Sequence, residues 1–275
     1  MDFVPAGPVV LHACRDGDPA APTLVLVNPL GADRRIWERL VPHLGHRAHV
    51  VRYDQRGHGL SDRGSGGFGI EELADDLARL LAQLDTGPAV VCGVELGGFT
   101  ALALAARRPA AVAGLVLAST GVAGEGPTPM HEQIARVRAG GLAAVAPDVL
   151  DAWFGRTFVE QRPAEACGWR NMLLRTGPEA YLAGADALAR ALVDATDLAA
   201  GASAVRVPTL CLAGAFEPPA QRAEARALAG RIAGAEFAIA AGCARLGAVV
   251  HPVDLAARLA AFIERCHGGR EVRAP

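Results

Sequence analysis

The sequence predicts an α/β fold: a mostly parallel central sheet with helices on both faces and an inserted all-helical lid. Three observations carry this reading. Short apolar runs alternate with helical segments through the first 120 residues. The segment 71–85 is amphipathic, with Leu73, Leu77, Leu80, Leu81 and Leu84 on one face. From about 121 to 203 strand signals give way to helical ones, and the alternation resumes near 208. Strands that alternate with helices must be joined by crossovers, which makes neighbouring strands parallel and covers the sheet on both sides.

The elements follow in order. Segments 8–13 and 23–28 read as strands, parted by the polar turn Arg15-Asp16-Gly17-Asp18. Asn28-Pro29-Leu30-Gly31 breaks the chain, 36–44 reads as a short helix carrying Trp37, and 48–53 as the next strand. Asp54 to Asp62 is a loop dense in glycine and charge. A strand at 89–92 leads through a tight turn into a helix that stops at Arg107-Arg108-Pro109, where proline cannot continue it. A strand is expected at 112–117. Helices are expected at 131–139, 149–158, 166–174 and 178–192, then a strand at 208–213, a helix at 220–232, a strand at 236–239 and a helix at 253–265. The tail 268–275 is polar and reads as loose. The core is thus expected at 1–120 and 204–275, and the helical lid at 121–203.

Composition excludes several functions. The chain has 275 residues, 51% of them hydrophobic, which is ample for a core. A formal charge of -2 gives no electrostatic footprint for nucleic acid or an anionic membrane. Every fixed cation is arginine; without lysine, Schiff-base catalysis and a Walker-type phosphate loop are excluded. The six cysteines lack metal spacing and read as reduced thiols. His43, His46 and His49 lie close together without an acidic companion, so no metal site is expected. No signal peptide or membrane span is visible in the sequence, so a cytoplasmic protein is expected, with no cofactor, a small-molecule substrate or ligand as partner, and an oligomeric state left open.

The chemistry gathers at Val90-Val91-Cys92-Gly93-Val94-Glu95-Leu96-Gly97-Gly98-Phe99-Thr100. A strand, a sharp turn and a helix follow one another, with glycines where the backbone must close. In α/β hydrolases such a turn holds the middle residue of Gly-x-Ser-x-Gly above the sheet. Here that residue is Glu95.

Several further stretches resemble 3-oxoadipate enol-lactonases and their neighbours in the α/β-hydrolase superfamily. Leu26-Val27-Asn28-Pro29-Leu30-Gly31 is similar to the family's oxyanion loop, with Trp37 at its usual remove. Tyr53-Asp54-Gln55-Arg56-Gly57-His58-Gly59-Leu60-Ser61 is similar to its D-x-R-G-H-G-x-S signature, in which the histidine is a structural loop residue. Trp153-Phe154-Gly155-Arg156-Thr157-Phe158, Arg170-Asn171-Met172-Leu173 and Tyr181 resemble its helical lid.

The resemblance also implies three catalytic positions, and all three depart from the family. Glu95 stands where the serine would be. Glu217, in Gly214-Ala215-Phe216-Glu217, stands at the aspartate position. Counting back from Pro252 puts Arg245 at the histidine position, with Cys243 one short slip away. A guanidinium holds its proton near neutrality and cannot replace histidine as base. The amides of Leu30 and Leu96 are implied as oxyanion donors. Phe99, Trp153, Arg170, Met172 and His131 are candidate substrate contacts.

Three readings follow. The first is a non-hydrolytic enzyme (an isomerase, cyclase, lyase or epimerase) acting on a small carbonyl compound with Glu95 as general base. The second is an inert binding protein plugged by a Glu95–Arg245–Glu217 cluster. The third is a hydrolase with a relocated or carboxylate nucleophile.

Overall fold

A computed structural model describes residues 2–121, 129–193 and 195–268, with backbone alone at 193, 195–199 and 268. The tail expected beyond 268 lies outside the described residues. Eight strands form one sheet: β1 (Asp2–Pro5), β2 (Val10–Gly17), β3 (Thr23–Val27), β4 (His49–Tyr53), β5 (Ala89–Val94), β6 (Val112–Ala118), β7 (Thr209–Gly214) and β8 (Glu236–Ala240). Their spatial order is β1-β2-β4-β3-β5-β6-β7-β8. β2 pairs antiparallel with both β1 and β4, and the pairs from β4 through β8 are parallel.

The central strands β3, β5 and β7 are buried along their whole length. Their near-continuous apolar runs are what a sheet covered on both faces demands. One apolar cluster packs Leu77, Leu80, Ala101 and Leu104 against Val25, Val91 and Leu115. A second packs Trp37, Leu259 and Phe262 against Leu26, Cys92 and Val116, and continues into Trp153, Phe154 and Tyr181. Each fully buried Leu or Phe contributes about 1.5–3 kcal/mol relative to exposure.

Between β6 and β7 the described chain is helical, from Pro129–Gly140 through Ala146–Phe154, Arg156–Gln161, Pro163–Arg175 and Pro178–Val193 to Ala195–Ala204. The helix expected over 149–158 is broken at Gly155, whose φ of 84° suits glycine and ends one helix while opening the next. The helix expected at 36–44 is instead a 3-10 turn at Arg34–Trp37 and a single α-turn at Val41–Leu44. Pro42 has no N–H to continue a longer ladder. β1 carried no sequence signal because it is an edge strand of four residues with one buried side chain. No described helix is long and apolar enough to cross a membrane.

Candidate active site

The parallel strands end at one edge of the sheet, and the candidate residues sit on those ends. Glu95 follows β5 directly with φ 50°, a strained value for a side chain with a Cβ. The turn closes because its flanks are glycine. A Cβ on Gly97 would stand 2.4 Å from the Val27 carbonyl oxygen, and one on Gly93 would stand 2.1 Å from that of Gly97. The helix Leu96–Arg107 then runs back beneath the sheet edge.

The loop after β3 is fixed by buried hydrogen bonds. Asn28 donates through Nδ2 to the Tyr53 carbonyl at 2.9 Å and accepts from Trp37 Nε1 at 2.7 Å. Gln55 Nε2 donates to the Asn28 carbonyl at 2.8 Å. The Gly31 N–H donates to His58 Nε2 at 3.0 Å. Because an amide can only donate, His58 is neutral there, and its Nδ1–H donates to the Arg56 carbonyl at 3.1 Å. Burial lowers the His58 pKa, consistent with that neutral form. His58 is thus a scaffold residue that sets the path of Leu30.

Leu30 donates its N–H to Glu95 Oε2 at 3.1 Å. Arg245 Nη1 donates to Glu95 Oε1. The Arg245 loop is stitched to the helix Ala146–Phe154: the Leu246 N–H donates to the Trp153 carbonyl at 2.8 Å and the Arg245 N–H to that of Ala152 at 3.4 Å. Arg245, rather than Cys243, therefore reaches Glu95. Cys243 is buried, with Sγ 3.6 Å from the Ala240 carbonyl. Its thiol is pushed up to about 11, by burial first and the nearby Glu217 carboxylate second.

Glu217 does not join the pair. Its Oε1 accepts from Ser119 Oγ at 2.5 Å and from the Gly214 N–H at 2.7 Å, and no described ion pair links it to Arg245. The expected Glu95–Arg245–Glu217 cluster is corrected to a Glu95–Arg245 pair beside a separate Ser119–Glu217 contact. The cause is local: Glu217 lies in the tight turn after β7, so its carboxylate folds back onto the Gly214 amide three residues earlier.

A cavity of about 430 Å³ opens onto this group, walled by Leu30, Glu95, Phe99, Trp153, Tyr181 and Arg245. The other candidates fall elsewhere. Met172 is buried in the core, and neither His131 nor Arg170 lines the cavity; both are exposed, while the expectation for Leu96 concerns its amide, which follows Glu95 directly, and not its buried side chain. On an amphipathic helix a one-residue offset turns a side chain by about 100°. Met130 and Gln133 therefore face the cavity while His131 does not.

Ser119, Gln133, Tyr181 and Glu224 line the cavity although nothing in the sequence marked them as a set. Ser119 has φ 48°. Val94 pairs with Ala118, so Glu95 and Ser119 leave neighbouring strands side by side. Tyr181 accepts from Gln133 Nε2, and burial together with the Glu95 carboxylate raises its pKa. A larger groove of about 830 Å³ lies between the helices Ile70–Gln83 and Pro178–Val193. Two of its acids are ion-paired, Glu71 to Arg107 at 3.4 Å and Asp186 to Arg138 at 3.5 Å, and neither Glu95 nor Arg245 lines it. Among the described residues no group of three or more His, Cys, Asp or Glu could hold a metal ion.

Comparison with known proteins agrees with this fold. A 3-oxoadipate enol-lactonase of Acinetobacter baylyi is 28% identical over 217 residues, 79% of each chain. The crystal structure of the enol-lactonase from Burkholderia xenovorans LB400 superposes with a TM-score of 0.86 at 30% identity, over 95% of this chain and 99% of that one. A thermophilic esterase from Thermogutta terrifontis gives 0.83 at 27% identity, over 94% of both chains. Residues 22–163 match the family model of the alpha/beta hydrolase fold, and the chain belongs to that family.

Proposed function

We propose that this chain is a non-hydrolytic enzyme of small carbonyl compounds, of the isomerase, cyclase, lyase or epimerase class, with Glu95 as general base. One observation carries the reading: the Glu95 carboxylate ends on the wall of a cavity with only part of its acceptor capacity used. A carboxylate offers about four lone-pair positions. The Leu30 amide and Arg245 take two, which leaves acceptor sites for a substrate proton. In the proposed step Glu95 takes a proton from the carbon next to a carbonyl. The C–H electron pair moves into the enolate, whose charge rests on the oxygen. Arg245 supplies the adjacent positive charge. The family's route through a histidine base is closed, because a guanidinium does not accept a proton.

A second reading is hydrolysis from a relocated nucleophile. The Ser119 Oγ contact with Glu217 and the hydrolytic names of the relatives favour it. One experiment separates the two. Small cyclic ketones and γ-lactones are incubated with the protein in D2O, and both α-proton exchange and ring opening are followed by NMR. Exchange that disappears in Glu95→Gln, without ring opening, is the expected result. Ring opening that survives Glu95→Gln and stops in Ser119→Ala overturns it in favour of hydrolysis. Neither reaction with any probe points to the binding protein.

A further inference from the structure

We propose that the substrate of this cavity carries a basic nitrogen and that Glu224 holds its ammonium group. The proposal rests on the reading of this cavity as the substrate site and adds the substrate class.

Charge bookkeeping across the lining leads to it. Among the described residues four charged side chains line the cavity: Glu95, Asp148, Glu224 and Arg245. Glu95 is matched by Arg245. Asp148 is matched by Arg136. Glu224 has no counter-ion and no hydrogen-bond donor among the described residues; the stretch 122–128 beside the cavity-lining Gly121 and Pro129 contains no Lys, Arg or His, and the arginines outside the described residues are Arg270 and Arg273 of the tail. Among the described residues the cavity therefore presents one unmatched carboxylate and no unmatched cation.

Position makes that carboxylate available. Glu224 is half-buried on the helix Pro219–Arg231, beside Gly121. The packing is close: a Cβ on Gly121 would stand 2.7 Å from Glu224 Cβ. The same cavity is lined by Phe99, Trp153 and Tyr181, and aromatic ring faces attract cations. Partial burial without a partner disfavours the charged carboxylate, and its pKa is raised by desolvation. An ammonium ion beside it would relieve that cost. A substrate bearing a carboxylate would meet like charge with no free guanidinium to receive it.

The test is isothermal titration at pH 7 with three ketones of one skeleton: 4-(aminomethyl)cyclohexan-1-one, cyclohexanone and 4-oxocyclohexane-1-carboxylate. The ammonium ketone is expected to bind about tenfold more tightly than the carboxylate ketone. In Glu224→Gln, which keeps shape and removes charge, the preference should fall to within about twofold. Glu224→Asp, with the charge drawn back one methylene, should lie between. Equal or tighter binding of the carboxylate ketone overturns the proposal, as does a preference that survives Glu224→Gln, or no binding of any of the three at millimolar concentration. Failure of the base chemistry is read separately, since exchange that is absent while the preference persists removes the role of Glu95 and keeps the substrate class.

Discussion

Arg245 donates to Glu95 across a separation of 150 residues, and the two meet on a cavity wall without Glu217. Removing one member of a dry ion pair strands a charge and costs on the order of 3–5 kcal/mol. On a cavity wall, water replaces the lost partner. Glu95→Gln is therefore expected to cost less than about 1 kcal/mol, a fall in Tm of under about 3 °C, while abolishing proton exchange. Thermal melts from pH 4 to 8 check it. A fall of 10 °C or more would show a structural plug.

Glu217 should behave as an independent unit. Its Oε1 satisfies the Gly214 amide and the Ser119 hydroxyl, so Glu217→Ala leaves two polar groups short of a partner. The expected cost is about 1–3 kcal/mol in urea unfolding. It shares no hydrogen-bond partner with Glu95. The double variant with Glu95→Gln should be additive within about 0.5 kcal/mol. A larger coupling would return Glu217 to the Glu95 site.

The fold was legible because its signals are local. Alternating apolar runs, the leucine face of Ile70–Gln83 and the glycines around Glu95 are fixed by neighbours in sequence. The Glu95–Arg245 approach was legible through the family spacing of the final histidine position. Glu217 was misjudged because a carboxylate near an arginine in an aligned motif says nothing about a closer amide, here that of Gly214. Glu224 was invisible for another reason: it sits among charged residues on a helix whose exposed face looks the same in sequence. Its place on the cavity, close beside Gly121, is a tertiary contact that the helix sequence does not mark.

The cysteines give a check on the packing around the site. None of the six is in a disulfide, and only Cys167 is exposed. Burial pushes Cys92 and Cys211 up to about 12 and Cys243 up to about 11. The thiolate is the reactive form, so at pH 8 only about one Cys243 in a thousand is reactive even before access is considered. Native protein should show one fast thiol toward a disulfide reagent, lost in Cys167→Ser, with the half-buried Cys14 slower. Rapid labelling of Cys243 at pH 8 would mean that the Ala240–Leu246 loop opens, and with it the hold on Arg245.

His58 ties stability to pH through the loop that carries Leu30. Its folded pKa is lowered below the unfolded value of about 6.5, with burial the main cause. The unfolded chain therefore takes up this proton first. Stability from the neutral ring is fully present above about pH 6.5 and falls as the pH drops through that value, until the lowered folded pKa is reached. Protonation also puts a hydrogen on Nε2, the atom that accepts from the Gly31 N–H, and so turns an acceptor toward a donor. His58→Gln removes the titration, whatever it costs in absolute stability. Urea unfolding at pH 7.5 and 5.5 should show wild type losing up to about 1.4 kcal/mol per pH unit more than the variant. His49 is also lowered, by burial and Arg15, and contributes equally to both proteins. Equal losses in wild type and variant would show that His58 is not the group that titrates.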